Sequence, residues 1–423
     1  MTYQAALTII TKIKPEEMDS LKQLLKSMNE NPAQNDVVPF GKFSMIHFAR
    51  FVVLDESIDL SGAVISPQLV FIVECDAPLR CLLNQLVDVA SKGLDDIYRH
   101  CEGYPTDGDI TRSKRLTYLR ANMVKAQAFY VNTVGRMAQQ IRQEAQLRNA
   151  IEDFLDRQDV SELSALDVRT KIQAYVRGET TLRWASKPPA SPGLVFRVKE
   201  TLHMIAIPLL LLILSPVLIL ALPFWLLVLR IHELTDVAPD IKPNEAHVQE
   251  LAEREDFGTQ NQFSAIGYIK PGRFRLFTVL GILQAANYGV RHIFNKEDLI
   301  GVKTIHFARW VVLDERRRVI FASNYDGSLE SYMDDFIDKL AWGLNAVFSN
   351  GVDYPKTNWL IFDGAKNEQA FKDFIRVRQI PTQVWYAAYD FLTALNIANN
   401  AKIRAGLYST MNETETGEWL RLL

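Results

Sequence analysis

The sequence predicts an α+β protein with an apolar membrane segment near its middle. Three observations predict it. Residues 204–229 contain no charged side chain and are long enough for a helix to cross a bilayer core of ~30 Å. Strand-like and helix-like patterns follow one another in the same order before and after this segment. The block MIHFARFVVLDE of the first half returns in the second half as TIHFARWVVLDE, which indicates an internal duplication.

The elements of the first half follow from hydrophobic periodicity and from the residues that interrupt it. A β-rich run ends at Pro15, and the apolar residues after it recur at helical spacing. Runs rich in β-branched and aromatic residues follow, and a longer helical pattern begins at Pro78. The predicted strands are 4–14, 44–57 and 68–75, and the predicted helices are 16–28 and 78–100.

The second half repeats this order. Residues 263–274 parallel the opening strand and its Lys-Pro stop, 303–315 repeat the His-Phe-Ala-Arg strand, and 319–327 match the next strand. A helix is predicted from Ser328, and 374–386 echo 118–130 as a weaker fourth strand. Several ordered blocks therefore support the duplication.

Each half then has the strand-helix-strand-strand-helix order of a ferredoxin-like unit. Such a sheet has helices on one face and an open apolar face on the other, which must be covered. We therefore expect the two repeats to form an internal pseudo-dimeric α+β barrel. The predicted domains are 1–115 (first repeat), 116–183 (helical extension, with helices at 126–157 and 161–177), 184–203 (Pro-rich linker), 204–229 (membrane segment), 230–261 (acidic linker) and 262–423 (second repeat with C-terminal helices).

The membrane segment admits two topologies. Pro208, Pro216 and Pro223 interrupt it, and a break beside Ser215 would fold it into a re-entrant hairpin. We favour the hairpin because a single crossing would separate the two repeats. A spanning helix tolerates prolines as well and would leave the barrel to form between chains, as a homo-oligomer. The predicted location is the bacterial inner membrane, in contact with lipid, with the bulk of the protein in the cytoplasm.

Composition and motifs restrict the classes of function. A formal net charge of −3 gives no reason to expect nucleic acid. Cys75, Cys81 and Cys101 cannot all pair with one another, which fits reduced cytosolic thiols, and no zinc-like ligand spacing predicts a metal site. The sequence has no phosphate-binding loop, no Gly-x-Ser-x-Gly and no His-Glu-x-x-His.

The repeated His-Phe-Ala-Arg block contains the strongest candidate site residues. It places His47 and Arg50 in one copy and His306 and Arg309 in the other. Strict alternation along a strand would let only one member of each pair face the barrel interior. Neutral histidines there could bind haem iron or carry protons. The alternative is that they are buried hydrogen-bonding residues that fix the strands.

The Asn-Tyr-Asp-Gly-Ser block that ends at Ser328 lies between a predicted strand and a helix, where Asp-Gly makes a turn and Ser caps the helix. It also resembles the Gly-x-x-Asp-Gly loop of the haem-containing dye-decolourising peroxidases, which have two ferredoxin-like domains. Ser323 stands where the first Gly of that loop would be. The resemblance implies haem as cofactor, Asp326 and Arg309 on its distal side, and His306 or His47 as ligand or proton carrier.

A resemblance to a family of bacterial membrane-associated proteins covers nearly the whole chain. It rests on the blocks HFAR, NYDGS and HCEGYP, present here from His47, Asn324 and His100, and it implies no activity. Two functions remain as expectations. One is a haem-dependent, peroxidase-like oxidoreductase that acts on a lipophilic small molecule. The other is a non-catalytic membrane-tethered binding or scaffold module that holds a lipid or apolar ligand.

Overall fold

A computed structural model describes residues 4–105, 108, 110–237 and 241–423. Helices and antiparallel sheets occur together, which confirms the α+β class. The strands are β1 (Gln4–Lys12), β2 (Ile46–Leu54), β3 (Ser57–Ile58), β4 (Val64–Ile65), β5 (Gln68–Asp76), β6 (Ala128–Val131), β7 (Gln260–Tyr268), β8 (Ile305–Leu313), β9 (Arg318–Asp326), β10 (Thr357–Asn358), β11 (Phe362–Asp363) and β12 (Thr382–Ala387). The helices are α1 (Met18–Glu30), α2 (Leu79–Val89), α3 (Ser91–Tyr98), α4 (Arg112–Ala121), α5 (Ala138–Leu155), α6 (Ala165–Gly178), α7 (Leu194–Thr235), α8 (Glu245–Ala252), α9 (Arg273–His292), α10 (Leu329–Phe348), α11 (Glu368–Arg378), α12 (Ala394–Gly406) and α13 (Glu413–Leu420).

Two four-stranded antiparallel sheets exchange their edge strands. The first sheet has the order β1-β5-β2-β12 and the second β6-β8-β9-β7. Strand β12 comes from the C-terminal half but pairs with β2, whereas β6 comes from the N-terminal half but pairs with β8. Each sheet is therefore completed by the half of the chain that lies on the other side of α7.

The segments that lead into the exchanged strands also join the two sheets. Before β6 the chain bonds to β1, where Ile10 N donates to Asn122 O at 3.0 Å and Val124 N donates to Thr8 O at 2.9 Å. Before β12 the chain bonds to β7, where Ile380 N donates to Ser264 O at 2.8 Å. The sheets are thus linked at both of their margins.

Apolar side chains fill the space between the sheets. Val52 and Leu54 of β2 contact a cluster that includes Val311 and Leu313 of β8. The alternate residues of β2, such as Phe51, face the opposite way and pack with α1 and α2. The apolar inner faces of the two sheets therefore cover each other.

Three predicted helices differ from the structure. Residues 126–157 contain strand β6 before α5 begins at Ala138, because the apolar residues 128–131 pair with β8. The helix expected over 78–100 is divided at Ala90 into α2 and α3. The helix expected from Ser161 begins at Ala165, where the hydroxyl of Ser164 accepts from Asp167 N.

The apolar segment forms part of one continuous helix, so the hairpin that we favoured does not form in this structure. Helix α7 contains Pro208, Pro216 and Pro223 and stays helical through all three. Among the described residues, α7 is the one helix that is both long enough and apolar enough to cross a membrane. Its most apolar stretch is not buried against the rest of the protein.

Candidate functional site

The first histidine of the repeated block belongs to a buried polar network. Strand β2 bulges between Ile46 and Phe48, and this directs His47 towards the end of β5. Its Nε2 lies 2.9 Å from Asp76 Oδ1 and its Nδ1 lies 2.8 Å from the Tyr389 hydroxyl. With an ionised carboxylate and a neutral imidazole, Nε2 donates to Asp76 and Nδ1 accepts from the Tyr389 hydroxyl. Both ring nitrogens of His47 therefore have partners.

The second histidine repeats this geometry. Strand β8 also bulges, between Ile305 and Phe307, and His306 Nε2 lies 2.6 Å from Asp326 Oδ1. Asp326 Oδ2 accepts from Ala394 N at 2.7 Å in the first turn of α12, as Asp76 Oδ2 accepts from Ala138 N at 3.2 Å in the first turn of α5. Each carboxylate thus joins a histidine to a helix N-terminus, where negative charge is favoured.

Aromatic rings fill the space around the two imidazoles. The His47 ring lies 5.2 Å from Phe307 of the opposite sheet, and the His306 ring lies 5.5 Å from Phe48. Tyr389 contacts Phe48 at 5.4 Å and His306 at 6.4 Å between ring centroids. Burial raises the pKa of Tyr389 well above its ordinary value. The two copies of the block therefore meet in one aromatic cluster, which we call the His–Asp cluster (His47, Phe48, Asp76, His306, Phe307, Asp326 and Tyr389).

The two arginines of the block cross the space between the sheets in opposite directions. Arg50 of the first sheet donates to Phe263 O at 2.8 Å and Ser323 O at 2.9 Å in the second sheet. Arg309 of the second sheet donates to Leu7 O at 2.7 Å and Val73 O at 2.8 Å in the first. Neither arginine is exposed to solvent. They join the two sheets through backbone carbonyls of the strands.

Their side-chain partners differ in charge. Arg309 donates to the carboxylate of Glu74 at 2.7 Å, whereas Arg50 donates to the neutral amide oxygen of Asn324. Burial lowers the pKa of Arg50 to about 10, although the nearby Glu74 carboxylate opposes this decrease. Only Arg309 therefore has a hydrogen-bonded counter-ion.

The expected grouping of Asp326 with Arg309 is not formed by a hydrogen bond. All hydrogen-bond acceptors of Arg309 lie in β1 and β5 of the first sheet, whereas Asp326 bonds to His306 and to α12. The alternation argument also fails at this point. The bulges shift the register, so that His47 and Arg50 both contact the opposite sheet.

Sequence reasoning missed two members of these networks, Glu74 and Tyr389. Asp76 ends β5 as Asp326 ends β9, and the alignment of the two halves identifies it as the weaker counterpart of Asp326. Glu74 was hidden because its counterpart in the second half is Asn324. Tyr389 follows strand β12, and nothing in the sequence predicts that it bonds to His47.

The fit of a haem group to these residues is poor. Both ring nitrogens of His47 are hydrogen-bonded, and the rings of Phe48 and Tyr389 lie 5.5 and 6.4 Å from the His306 ring. In the described residues, three or more His, Cys, Asp or Glu side chains are not grouped so as to hold a metal ion. One small apolar cavity of about 50 Å³ lies elsewhere, between the outer face of the second sheet and helices α9, α10 and α11.

Comparisons with models of protein families, with curated proteins and with solved structures find no match. The geometry of the site is therefore the basis for the function proposed next.

Proposed function

We propose that the protein is a non-catalytic, membrane-tethered scaffold or binding module whose repeated motifs stabilise its fold. The observation that carries this proposal is that both arginines of the repeated block are fully buried and bonded to strand carbonyls. A catalytic arginine must be able to reach substrate. The terminal nitrogens of both guanidinium groups instead donate to the opposite sheet.

We further propose that the sheets close into one internal pseudo-dimeric barrel that arose by duplication of a ferredoxin-like unit. The matching roles of residues support this. Arg50 bonds to Phe263 and Ser264 of β7 as Arg309 bonds to Leu7 and Thr8 of β1. The hydrogen bonds that link the sheets at both margins support closure as well.

The tether in this proposal is α7, with the bulk of the protein in the cytoplasm of a bacterial cell. Its apolar length and its exposure support attachment to lipid. The ligand class is a lipid or another apolar molecule. The apolar cavity beside Phe321 and Phe374 is the place where an aliphatic group would fit, although its volume of about 50 Å³ admits only a few carbon atoms.

The test uses the full chain purified in detergent. We expect an absorption spectrum without a Soret band, no saturable binding of added haemin, and an organic extract that contains lipid in stoichiometric amount. Saturable haemin binding with a Soret band that shifts in the His306→Gln variant would contradict the proposal. An extract with neither lipid nor another apolar compound would remove the ligand-binding part and leave the scaffold.

A haem-dependent oxidoreductase remains the second candidate because of one observation. Within the described residues His306 Nδ1 makes no hydrogen bond, whereas its Nε2 bonds to Asp326. A metal-ligating histidine commonly donates its second nitrogen to a carboxylate in this manner. In this reading the Asp326→Asn variant would alter the Soret spectrum and lower peroxide reactivity. Unchanged reactivity would exclude Asp326 from such a role.

A further inference from the structure

We propose that α7 is an in-plane anchor that lies within one leaflet of the bilayer and does not cross it. This inference rests on the proposed attachment of α7 to lipid and goes beyond it in assigning the orientation of the helix. Three features of the structure support it: the exchange of strands between the halves, the contacts of both ends of α7 with one helix, and an exposed aromatic hairpin beside the C-terminal end of α7.

The exchanged strands place both halves on one side of the membrane. Strand β6 precedes α7 in sequence and pairs with β8 after it, while β12 pairs with β2 before it. A bilayer cannot separate strands that share backbone hydrogen bonds. A spanning α7 would therefore require each half to lose an edge strand. An α7 that stays in one leaflet leaves both sheets intact.

The N-terminal part of α7 is bound to the end of α9. The Glu200 carboxylate accepts two hydrogen bonds from the Arg291 guanidinium, one from Nε at 2.8 Å and one from Nη2 at 2.5 Å. One turn later His203 Nδ1 lies 2.7 Å from His292 Nε2, and the Tyr288 hydroxyl donates to Met204 O at 2.8 Å. The start of the apolar segment is therefore adjacent to the last turns of α9.

The C-terminal part of α7 is bound to the beginning of the same helix. Trp225 Nε1 donates to Thr278 Oγ1 at 3.3 Å, and the His232 ring stacks on Phe274 at 5.1 Å. Beyond the helix, Asp236 accepts from Arg275 at 2.7 Å. Helix α7 thus runs antiparallel along α9, which itself packs on the second sheet with Val279 and Leu283.

An apolar helix held at both ends against the protein presents its free side to lipid. Leu212 and Leu220 near its middle are 69% and 81% exposed. A helix is about 10–12 Å across, and half of a ~30 Å hydrocarbon core is ~15 Å. The helix can therefore lie in the hydrocarbon of one leaflet, because most of its backbone polar groups are bonded within it. The exceptions are the groups at its ends and the carbonyls that face its three prolines, of which Leu212 O accepts from the Ser215 hydroxyl at 2.7 Å and Met204 O accepts from the Tyr288 hydroxyl at 2.8 Å.

The hairpin between β10 and β11 adds a second contact with the same leaflet. Trp359 and Phe362 are exposed at its tip, and Arg230 of α7 lies over the Trp359 ring at 5.6 Å. The buried Glu233 of α7 accepts from Trp359 N at 2.9 Å and Leu360 N at 2.7 Å. Tryptophan side chains such as Trp359 concentrate where bilayer and water meet. The hairpin therefore marks the depth of the C-terminal end of α7.

The test measures depth along α7 in the full chain reconstituted into phosphatidylcholine/phosphatidylglycerol vesicles. Cys81→Ser removes the exposed cysteine, and Cys75 and Cys101 are buried. Single variants Ile205→Cys, Leu212→Cys, Leu220→Cys and Leu227→Cys carry an environment-sensitive fluorophore. These exposed positions lie on one side of the helix within roughly 80° of one another, given ~3.6 residues per turn.

We expect quenchers placed at known depths to report nearly equal depths at all four positions. A spanning helix would instead place Leu212 and Leu220 deepest and the two outer positions in opposite leaflets, since they are separated by ~33 Å along the axis. That profile would overturn the in-plane anchor while leaving membrane attachment intact. Failure of the full chain to float with vesicles would overturn the attachment as well.

Labelling from outside the vesicles gives a second readout that does not depend on fluorescence. Ser191→Cys and Lys242→Cys lie in exposed positions on the two flanks of α7. In intact vesicles, a membrane-impermeant maleimide should label the two cysteines to the same extent as each other. The two should also be labelled equally after detergent has opened the vesicles. Labelling of only one flank before detergent would contradict the proposal.

Discussion

At the scale of single residues, Arg50 and Arg309 have equivalent positions but unequal partners. Arg309 bonds to the Glu74 carboxylate, whereas Arg50 bonds to the Asn324 amide. Removing one member of a buried ion pair costs more than removing a group whose partner is neutral, because the remaining charge stays desolvated. The two arginines should therefore respond differently to the same substitution.

We predict that Arg309→Met lowers the free energy of unfolding by about 3–5 kcal/mol because it leaves Glu74 buried without its counter-ion. Arg50→Met is the matched control and should cost less, since it also removes a charge that burial disfavours. Adding Glu74→Leu to Arg309→Met should recover much of the loss. Urea denaturation of the full chain in detergent measures all three. Equal costs for both single variants would contradict the assignment.

A second prediction concerns the thiols. Burial raises the pKa of Cys101 to about 11 and raises that of Cys75 further, whereas Cys81 is exposed. A pKa of about 11 lowers the thiolate fraction at pH 8 roughly a hundredfold relative to an ordinary thiol. We expect one thiol to react with an aromatic disulfide reagent at pH 8 in the native protein, and all three after denaturation. Rapid reaction of the native Cys81→Ser variant would disprove this.

At the scale of secondary-structure elements, the β10–β11 hairpin has an unfavourable backbone. Trp359 and Leu360 have φ values of 51° and 68°, a left-handed region that bulky residues seldom occupy and that costs of order 1–3 kcal/mol per residue. The carboxylate of Glu233 holds the turn by accepting from both amides. The Glu233 side chain of α7 thus stabilises a backbone conformation that the hairpin sequence alone disfavours.

We predict that Glu233→Ala increases hydrogen exchange at the amides of Trp359 and Leu360 by at least tenfold. Each amide loses its acceptor, and an unpaired buried donor costs ~1–3 kcal/mol. Glu250→Ala on the exposed side of α8 is the control, because Glu250 makes only a weak surface ion pair with Arg254. Exchange is measured by mass spectrometry of the full chain in detergent. Unchanged exchange at the hairpin would show that Glu233 does not hold it.

The sequence predicts most strands but not their pairing. Alternation and β-branched residues identified β1, β2, β5, β7, β8 and β9 within a few residues, since each has a strongly apolar face. The short β6 was assigned to a helix because the polar residues after it extend a helical pattern. The fourth strand was expected over 374–386 but forms only over Thr382–Ala387, because the residues up to Arg378 belong to α11. Its partner β2 lies more than 300 residues away in sequence, and local periodicity contains no information on that distance.

The sequence predicts which residues belong to the site but not which partners they bond to. Repetition identified His47, Arg50, His306 and Arg309 as special residues. Their partners depend on two bulges and on contacts between sheets, neither of which is a local property of the sequence. The prolines of α7 led to the wrong prediction of a hairpin. The helix continues through them because each proline leaves only a few backbone groups without a hydrogen bond.

At the scale of the whole molecule, the exchanged strands make the two halves mutually dependent. We predict that they stay together after the chain is cut in the exposed Pro-rich loop at 188–193. A protease site inserted there should give two fragments that co-elute in detergent and separate only in denaturant, because β6 and β12 remain paired. A protease site inserted beside the C-terminus is the control for cleavage itself. Separation of the fragments without denaturant would contradict the exchange.

The exchange also orders events during synthesis. The first sheet cannot be completed until residue 387 has left the ribosome, yet the apolar helix emerges roughly 160 residues earlier. At ~5–20 residues per second this interval lasts on the order of ten seconds. The apolar helix is therefore available to the targeting machinery and to lipid while the N-terminal half still lacks an edge strand. Capture by the membrane would then precede folding, and the bilayer surface would be the place where the two halves first meet.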